Sequence, residues 1–358
     1  MDRPESGYGP AHRVPGAQRA AGGAGKLSVV VLRTLGLGDL LTGVPALRAL
    51  REAYPEADIT LAAPSVLTPI AALSGAVDGV ADTAPLTPLH PGLHGADLAV
   101  DLDGRVPEST RLLLATQPGR LIGFAHPAVP ATRGLPRWTP DEHEVIRWCR
   151  LLTECGIPAD PGRRSLPPPS VPSPAPGAVI VHPGASSAAR RWPADRWAAV
   201  ARQLRADRLR VVVTGSPDER GLAEEVAAEA GLSPYSVLAG RTGLMTLAAL
   251  TAEAGLVLSA DTGIAHLAAA YERPAVTLAG PVPPQLGGPP RRPWHAVLWA
   301  GHDGDPQGDE PDPGLLELAV ADVIAAVREV RERRIRRGGG SLNHGRPGSA
   351  KQHGRTPA

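Results

Sequence analysis

The chain has 358 residues, 42% of them hydrophobic, enough to fill the cores of about two domains and too apolar for a disordered or fibrous protein. Its 37 Lys and Arg balance 36 Asp and Glu, so the formal charge is +1 and binding to nucleic acid through overall charge is excluded. Any anion must therefore be held by a local arrangement of donors.

Residues 1–26 contain Arg, Gly and Pro without the apolar stretch of a cleaved signal, and are expected to form a disordered extension. The β-branched run at 27–32 (LSVVVL) predicts a buried strand. After the turn Leu35-Gly36-Leu37-Gly38-Asp39, the residues Leu40, Leu41, Val44, Leu47 and Leu50 line one helical face that ends near Tyr54-Pro55. Strands are predicted at 58–62, 97–102 and 120–123, and a helix at 141–155 that stops at Gly156. Cys149 and Cys155 lie on that helix, too far apart for a disulfide, which agrees with a reducing cytoplasm.

Eight prolines between Pro158 and Gly177 lock φ and remove donors, marking residues 158–177 as a linker between two domains, 27–157 and 178–312. The alternation resumes with strands at 178–181, 210–214, 255–259 and 274–278, and helices at 194–204, 218–230, 244–253 and 262–270. A last helix at 313–337 precedes a Gly, Arg and Pro tail, 338–358, expected to be disordered. No run of about 18 uncharged apolar residues occurs, so no spanning helix is expected. Two α/β domains with parallel, doubly wound sheets are the predicted architecture.

In such sheets ligands bind beyond the strand C-termini, so the loops that leave strands and enter helices are informative. The first is Arg33 to Asp39, whose glycines permit a tight turn; its spacing departs from a dinucleotide fingerprint. Asp39 reads either as a helix N-cap or as a carboxylate general base. The second, His182-Pro183-Gly184-Ala185-Ser186-Ser187-Ala188-Ala189-Arg190-Arg191-Trp192-Pro193, offers hydroxyls, backbone N–H groups and guanidinium to a phosphate, or is a solvated basic loop over a packed Trp192. The third, Asp261-Thr262-Gly263 with His266 one turn on, offers a helix N-terminus to a diphosphate, although Asp261 alone could be an N-cap. The Asp-Thr-Gly triplet also occurs in aspartic proteases, but the helix that follows it here argues against that reading.

Taken in order, Leu-Gly-Asp at 37–39, Val44-Pro45-Ala46-Leu47-Arg48, Asp101-Leu102-Asp103-Gly104-Arg105, His182-Pro183-Gly184, Arg191-Trp192-Pro193, Thr214-Gly215-Ser216-Pro217 and Asp261-Thr262-Gly263 with His266 resemble glycosyltransferase family 9, the ADP-heptose:lipopolysaccharide heptosyltransferases. The resemblance runs from Leu27 to about Glu329. It implies a GT-B fold, with two Rossmann-like domains facing a central cleft, and inverting transfer of a sugar, heptose from ADP-heptose being the expected one. The acceptor would be a saccharide or glycolipid of the cell envelope. By this resemblance Asp39 is the catalytic base and Arg190 stands where the family carries a Lys against the departing diphosphate, a departure because a planar fork replaces a point charge. Ser186, Ser187, Arg190, Glu219, Asp261, Thr262, Gly263 and His266 are the expected donor-binding residues, and Gly38 and Arg105 the expected acceptor-binding ones. Glu219 could equally be a first-turn acid that complements its helix dipole.

No metal or other cofactor is expected: the His are scattered, the two Cys lack zinc spacing, and Asp101 and Asp103 read as structural rather than as a metal-binding DxD. Arg105, Arg111, Arg120, Arg133 and Arg137 could receive an anionic acceptor or simply be solvated. The basic stretch Arg331 to Arg337 could touch the inner membrane leaflet, so the expected location is cytoplasmic with peripheral membrane contact at most. A nonhydrolysing sugar-nucleotide epimerase and a noncatalytic nucleotide-sugar-binding module are the alternatives.

Overall fold

The computed structural model describes residues 25–104 and 106–339, with the backbone alone for 334–339. The expectations for residues 1–24, Arg105, the side chains of the basic helix end and the tail from 340 lie outside the described residues. The chain divides into two compact units between Arg164 and Ser165.

The first unit is built on five parallel strands, β1 (Ser28–Leu32), β2 (Asp58–Ala63), β3 (Gly79–Asp82), β4 (Leu98–Asp101) and β5 (Leu121–Ile122), ordered β3-β2-β1-β4-β5. The helices are α1 (Leu37–Ala53), α2 (Thr68–Leu73), α3 (Pro107–Ala115) and α4 (Glu144–Glu154). Val29, Val30, Val31 and Leu32 are buried together, as expected for a central strand covered on both faces. Leu40, Leu41, Val44, Leu47 and Leu50 form the buried side of α1. The helix predicted from 141 begins at Glu144, because His143 stays extended and its Nδ1 accepts the Val145 N–H at 3.2 Å as a cap.

The second unit carries β6 (Val179–His182), β7 (Val211–Val213), β8 (Leu256–Ala260), β9 (Ala275–Leu278) and β10 (His295–Leu298), all parallel, ordered β10-β9-β8-β6-β7. Its helices are α5 (Ala194–Ala206), α6 (Arg220–Glu229), α7 (Leu244–Ala252), α8 (Gly263–Ala270), the single turn α9 (Pro284–Gly287), α10 (Pro313–Glu317) and α11 (Val320–Gly339). Successive strand residues alternate between two cores. Val179, Val181, Val213, Leu256 and Leu258 pack with Trp197, Val226 and Val327, while Ile180, Val212 and Val257 pack with Leu250, Ile264 and Ala268.

Two expectations change. The single C-terminal helix is broken at Leu318, which is extended and whose carbonyl accepts the Trp192 indole N–H at 3.1 Å and Arg196 Nη1 at 3.1 Å. A carbonyl committed to those donors cannot continue the helical ladder, and Asp322 restarts it by accepting the Ala319 N–H at 2.9 Å. The proline-rich segment is more than a tether: the Leu166 N–H bonds the Ala270 carbonyl at 3.2 Å and Ala175 is buried in the second unit's core.

The sheet orders differ, yet each reverses direction at one point. In the first sheet the chain departs to opposite sides from β1 and β4, and in the second from β6 and β8, so the loops after these strands are the expected ligand positions.

Candidate active site

The loop leaving β1 begins with Arg33, 1% exposed. Its Nε donates to the Asp39 carbonyl at 2.9 Å, one Nη to Thr42 Oγ1 at 2.9 Å and to Glu144 Oε1 at 2.5 Å, and the other Nη to the Leu102 carbonyl. The guanidinium also lies 4.9 Å from the Trp148 ring centre. Burial alone would lower the pKa of Arg33, but Glu144 and Asp39, with a smaller share from Asp103, outweigh it and raise the pKa above the usual arginine value.

Asp39 is the third residue of α1 rather than its N-cap; Gly36 holds that place with extended backbone. Asp39 Oδ2 accepts the Gly36 N–H at 3.0 Å, half of a capping box, while Oδ1 lies 3.8 Å from Arg33 Nη2. The side chain remains 35% exposed, so capping and chemistry are compatible in one carboxylate. Gly38 lies beside it in the first turn, half-buried.

At the neighbouring strand end, Asp101 accepts the Asp103 N–H at 3.0 Å and the hydroxyls of Ser109 and Thr110 at 3.0 and 2.6 Å. Burial pushes its carboxyl up to about 6 despite these donors. Asp103 accepts the Thr34 N–H and hydroxyl at 2.5 and 2.8 Å. Both carboxylates thus bind the protein's own loops, which explains the Asp-Leu-Asp triplet structurally. Among the described residues no group of three or more His, Cys, Asp and Glu could hold a metal ion.

In the second unit, the loop after β6 is pinned by Arg191, whose Nε and Nη2 donate to the Ala185 carbonyl at 3.0 and 2.9 Å, and by buried Trp192, edge-on to Trp197 at 5.1 Å. Ser186 is exposed, whereas Ser187 is buried with its hydroxyl donated to the Pro306 carbonyl at 2.7 Å, so Ser187 can offer a ligand only lone pairs or backbone. Arg190, half-buried, reaches across to the Asp261 carbonyl with Nη1 at 3.4 Å. The loops after β6 and β8 therefore meet, as the register pair His182 and Ser259 requires.

Thr262, not Asp261, is the N-cap of α8, and no side chain caps that helix. Its N-terminus thus retains donors for an anion beside Arg190. His266 is half-buried one turn further along. Glu219 Oε2 accepts the Ser216 N–H at 2.7 Å, and Ser216 Oγ accepts the Glu219 N–H at 3.3 Å, a reciprocal pair across the turn that leads into α6. The Glu219 carboxylate occupies the space above Gly184, where an added Cβ would lie 2.1 Å from its Cδ.

Two groups gain roles that sequence reasoning did not assign. Glu144 anchors Arg33, a pairing signalled only by an arginine placed directly after a buried strand, which needs a carboxylate somewhere. His182, with Nδ1 2.9 Å from Thr214 Oγ1, has its pKa lowered by burial, partly countered by Glu219. The helix begun directly after Asp261, on a parallel sheet, leaves no aspartic-protease arrangement.

Two doubly wound parallel sheets, each with polar loops at its switch point, define the GT-B-like class. The model of the family described as "Glycosyltransferase family 9 (heptosyltransferase)" matches residues 164–305 of this chain. It is 34% identical over 158 residues to lipopolysaccharide heptosyltransferase 3 of Escherichia coli, a match covering 42% of this chain and 45% of that protein. The chain thus spans less than half the length of that curated relative. In fold it is similar to E. coli ADP-heptose lps heptosyltransferase II, with a TM-score of 0.70, 21% identity, and coverage of 86% of this chain and 99% of the other. It is also similar to E. coli heptosyltransferase WaaC with ADP, with a TM-score of 0.64, 21% identity, and coverage of 86% and 98%. Among the described residues no helix is long and apolar enough to cross a membrane.

Proposed function

We propose that this chain is an inverting glycosyltransferase that moves heptose from ADP-heptose to a saccharide or glycolipid acceptor in cell-envelope glycan synthesis, working in the cytoplasm, with peripheral contact at the inner membrane face when the acceptor is lipid-linked. The observation that carries the reading is the meeting of Arg190 with the uncapped start of α8, a ready diphosphate cradle inside the segment that matches the family model.

In this reading Asp39 takes the proton of the acceptor hydroxyl as its oxygen bonds the anomeric carbon. The bond from that carbon to the diphosphate breaks, and its electron pair leaves with ADP. Arg190 and the N–H groups at Gly263 and Ile264 meet the charge that develops there. Glu219 accepts from the nucleoside hydroxyls, Ser186 and His266 line the diphosphate, Ser187 contributes through its backbone, and Gly38 leaves room for the acceptor. Asp261 shapes the cradle through its carbonyl bond to Arg190. No resident metal or cofactor is assigned a role.

Calorimetric binding of ADP, UDP, GDP and dTDP without added metal tests the donor. Tightest binding by ADP, weakened on the order of tenfold or more in Arg190→Ala, is expected. Preference for another nucleotide overturns the donor, and no binding overturns the transferase. Replacing Asp39 by Asn should cut turnover by about 10² to 10⁴ with ADP affinity intact.

A further inference from the structure

Catalysis by a carboxylate requires its oxygen to be held in place, and a misplacement of about 1 Å can cost on the order of 10² in rate. Asp39 lies in the glycine-rich first turn of α1, and its carboxylate contact to Gly36 comes from that same turn. Beyond the turn, the Asp39 carbonyl accepts Arg33 Nε and Thr42 Oγ1, each at 2.9 Å, and the side-chain Oδ1 is approached by Arg33 at 3.8 Å. Arg33 is in turn fixed to the end of β4 through Leu102, to α1 through Thr42 and to α4 through Glu144 and Trp148.

A charge pair with one partner fully buried and the other, Glu144, 21% exposed contributes little net stability, and apolar residues of the same volume usually serve a core as well or better. Stability is therefore a poor reason for a guanidinium 1% exposed at this point. We propose that Arg33 and Glu144 are positioning residues for the reaction, a pair of one buried and one half-buried charge that ties the Asp39 carboxylate to β4 and α4. The inference rests on the assignment of Asp39 as base. The fork matters more than the charge, since a lysine ammonium cannot bond the Asp39 and Leu102 carbonyls, Thr42 and Glu144 at once.

The test is a rate cycle with Arg33→Lys, Asp39→Asn and the double variant, reading ADP release from ADP-heptose with heptose-deficient lipopolysaccharide as acceptor, per folded molecule as counted by circular dichroism. Arg33→Lys is expected to lose on the order of 10² in turnover. ADP affinity and donor KM should stay unchanged, because the residues assigned to the donor lie on the second unit. In the Asp39→Asn background it should cost nothing further, since it acts through the group already removed. Glu144→Gln, which keeps shape, runs the same cycle with a smaller loss and stands in if Arg33→Lys does not fold. Losses that multiply in the double variants, or unchanged turnover in both Arg33→Lys and Glu144→Gln, would overturn the positioning role while leaving Asp39 in place. If Asp39→Asn itself keeps its turnover, or if the unsubstituted chain releases no ADP, the base or the transferase reading falls first and this inference falls with it.

Discussion

Replacing Gly184 by Ala gives a sharp test of the second unit's site. The new Cβ would lie 2.1 Å from Glu219 Cδ and 2.2 and 2.5 Å from its two carboxylate oxygens, where real contacts stay beyond 3.0 Å. The backbone at Gly184 is not left-handed, so this contact is the whole perturbation. The obstructing atoms are the far end of a flexible side chain, which will swing out rather than push the strand aside. In doing so it gives up the 2.7 Å bond from the Ser216 N–H, and because Ser216 is exposed, water replaces it. The cost is that of one exposed turn hydrogen bond, about 1 kcal/mol at most, or a fall in Tm of no more than about 2–4 °C for a unit of this size. If the carboxylate also holds the nucleoside, its charge-assisted bonds are worth about 1.5–3 kcal/mol, so ADP affinity should fall by roughly 10- to 100-fold. Thermal melting and calorimetry read both quantities. Glu219→Ala should mimic the affinity loss, and adding it to Gly184→Ala should make that loss no worse. Unchanged melting and affinity in Gly184→Ala would refute the placement of Glu219, and a melting drop several times larger would show that backbone absorbs the clash.

Other expectations rest on single groups. With its carboxyl raised to about 6 by burial, Asp101 favours folding below the unfolded carboxylate range near 3.8, and that contribution fades as pH rises through 6. Stability measured by urea should therefore fall by about 2 kcal/mol between pH 4 and 7 on this account, and a pH profile unchanged in Asp101→Asn would contradict it. Thr277 Oγ1 is buried without a hydrogen-bond partner among the described residues, so Thr277→Val should raise stability by about 1 kcal/mol; a loss would mean the hydroxyl is satisfied. Burial pushes the Cys149 thiol up to about 12, so iodoacetamide at pH 8 should leave it unmodified until the protein is unfolded, and rapid labelling of native protein would count against its packing.

The parallel sheets were legible because their inner strands are short β-branched runs bounded by Gly, Pro and helical periods, as at Ser28–Leu32 and Val179–His182. Edge strands carry a weaker pattern. Gly79–Asp82 and His295–Leu298 are only partly buried and lack alternation, and the sequence alone did not mark them. Helix starts shifted where the N-cap falls on a residue the local pattern did not single out: His143 at α4, Gly36 at α1, Thr262 at α8. The break at Leu318 depends on donors from Trp192 and Arg196, more than a hundred residues away in sequence, and no local rule encodes that. Of the candidate site, the roles expected of Arg190 and Glu219 came from the family resemblance, whereas the loops that leave strands, with Asp39 and Arg190 on them, could be read from residue type and position. That Arg190 meets Asp261, that Ser187 spends its hydroxyl on Pro306, and that Glu144 holds Arg33 could not, because each joins segments brought together only by strand order.

Strand order also explains why the two arginines play different parts. Each leaves the first strand of its sheet and bonds a main-chain carbonyl just past the strand next to it across the switch point, Arg33 at Leu102 and Arg190 at Asp261. Loops that diverge around a crevice need a long, forked donor to span them, and arginine supplies one. The part each arginine then plays depends on how much of its charge is already committed. Arg33, 1% exposed, is surrounded by the Glu144 and Asp39 carboxylates and three other acceptors, which leaves it little to offer a ligand directly. Arg190, half-buried, makes one long bond of 3.4 Å to a neutral carbonyl among the described residues, which leaves its charge and most of its five N–H donors for an anion beside the uncapped α8. On the proposed reading, the same residue type at equivalent places holds the base in one sheet and receives a phosphate in the other.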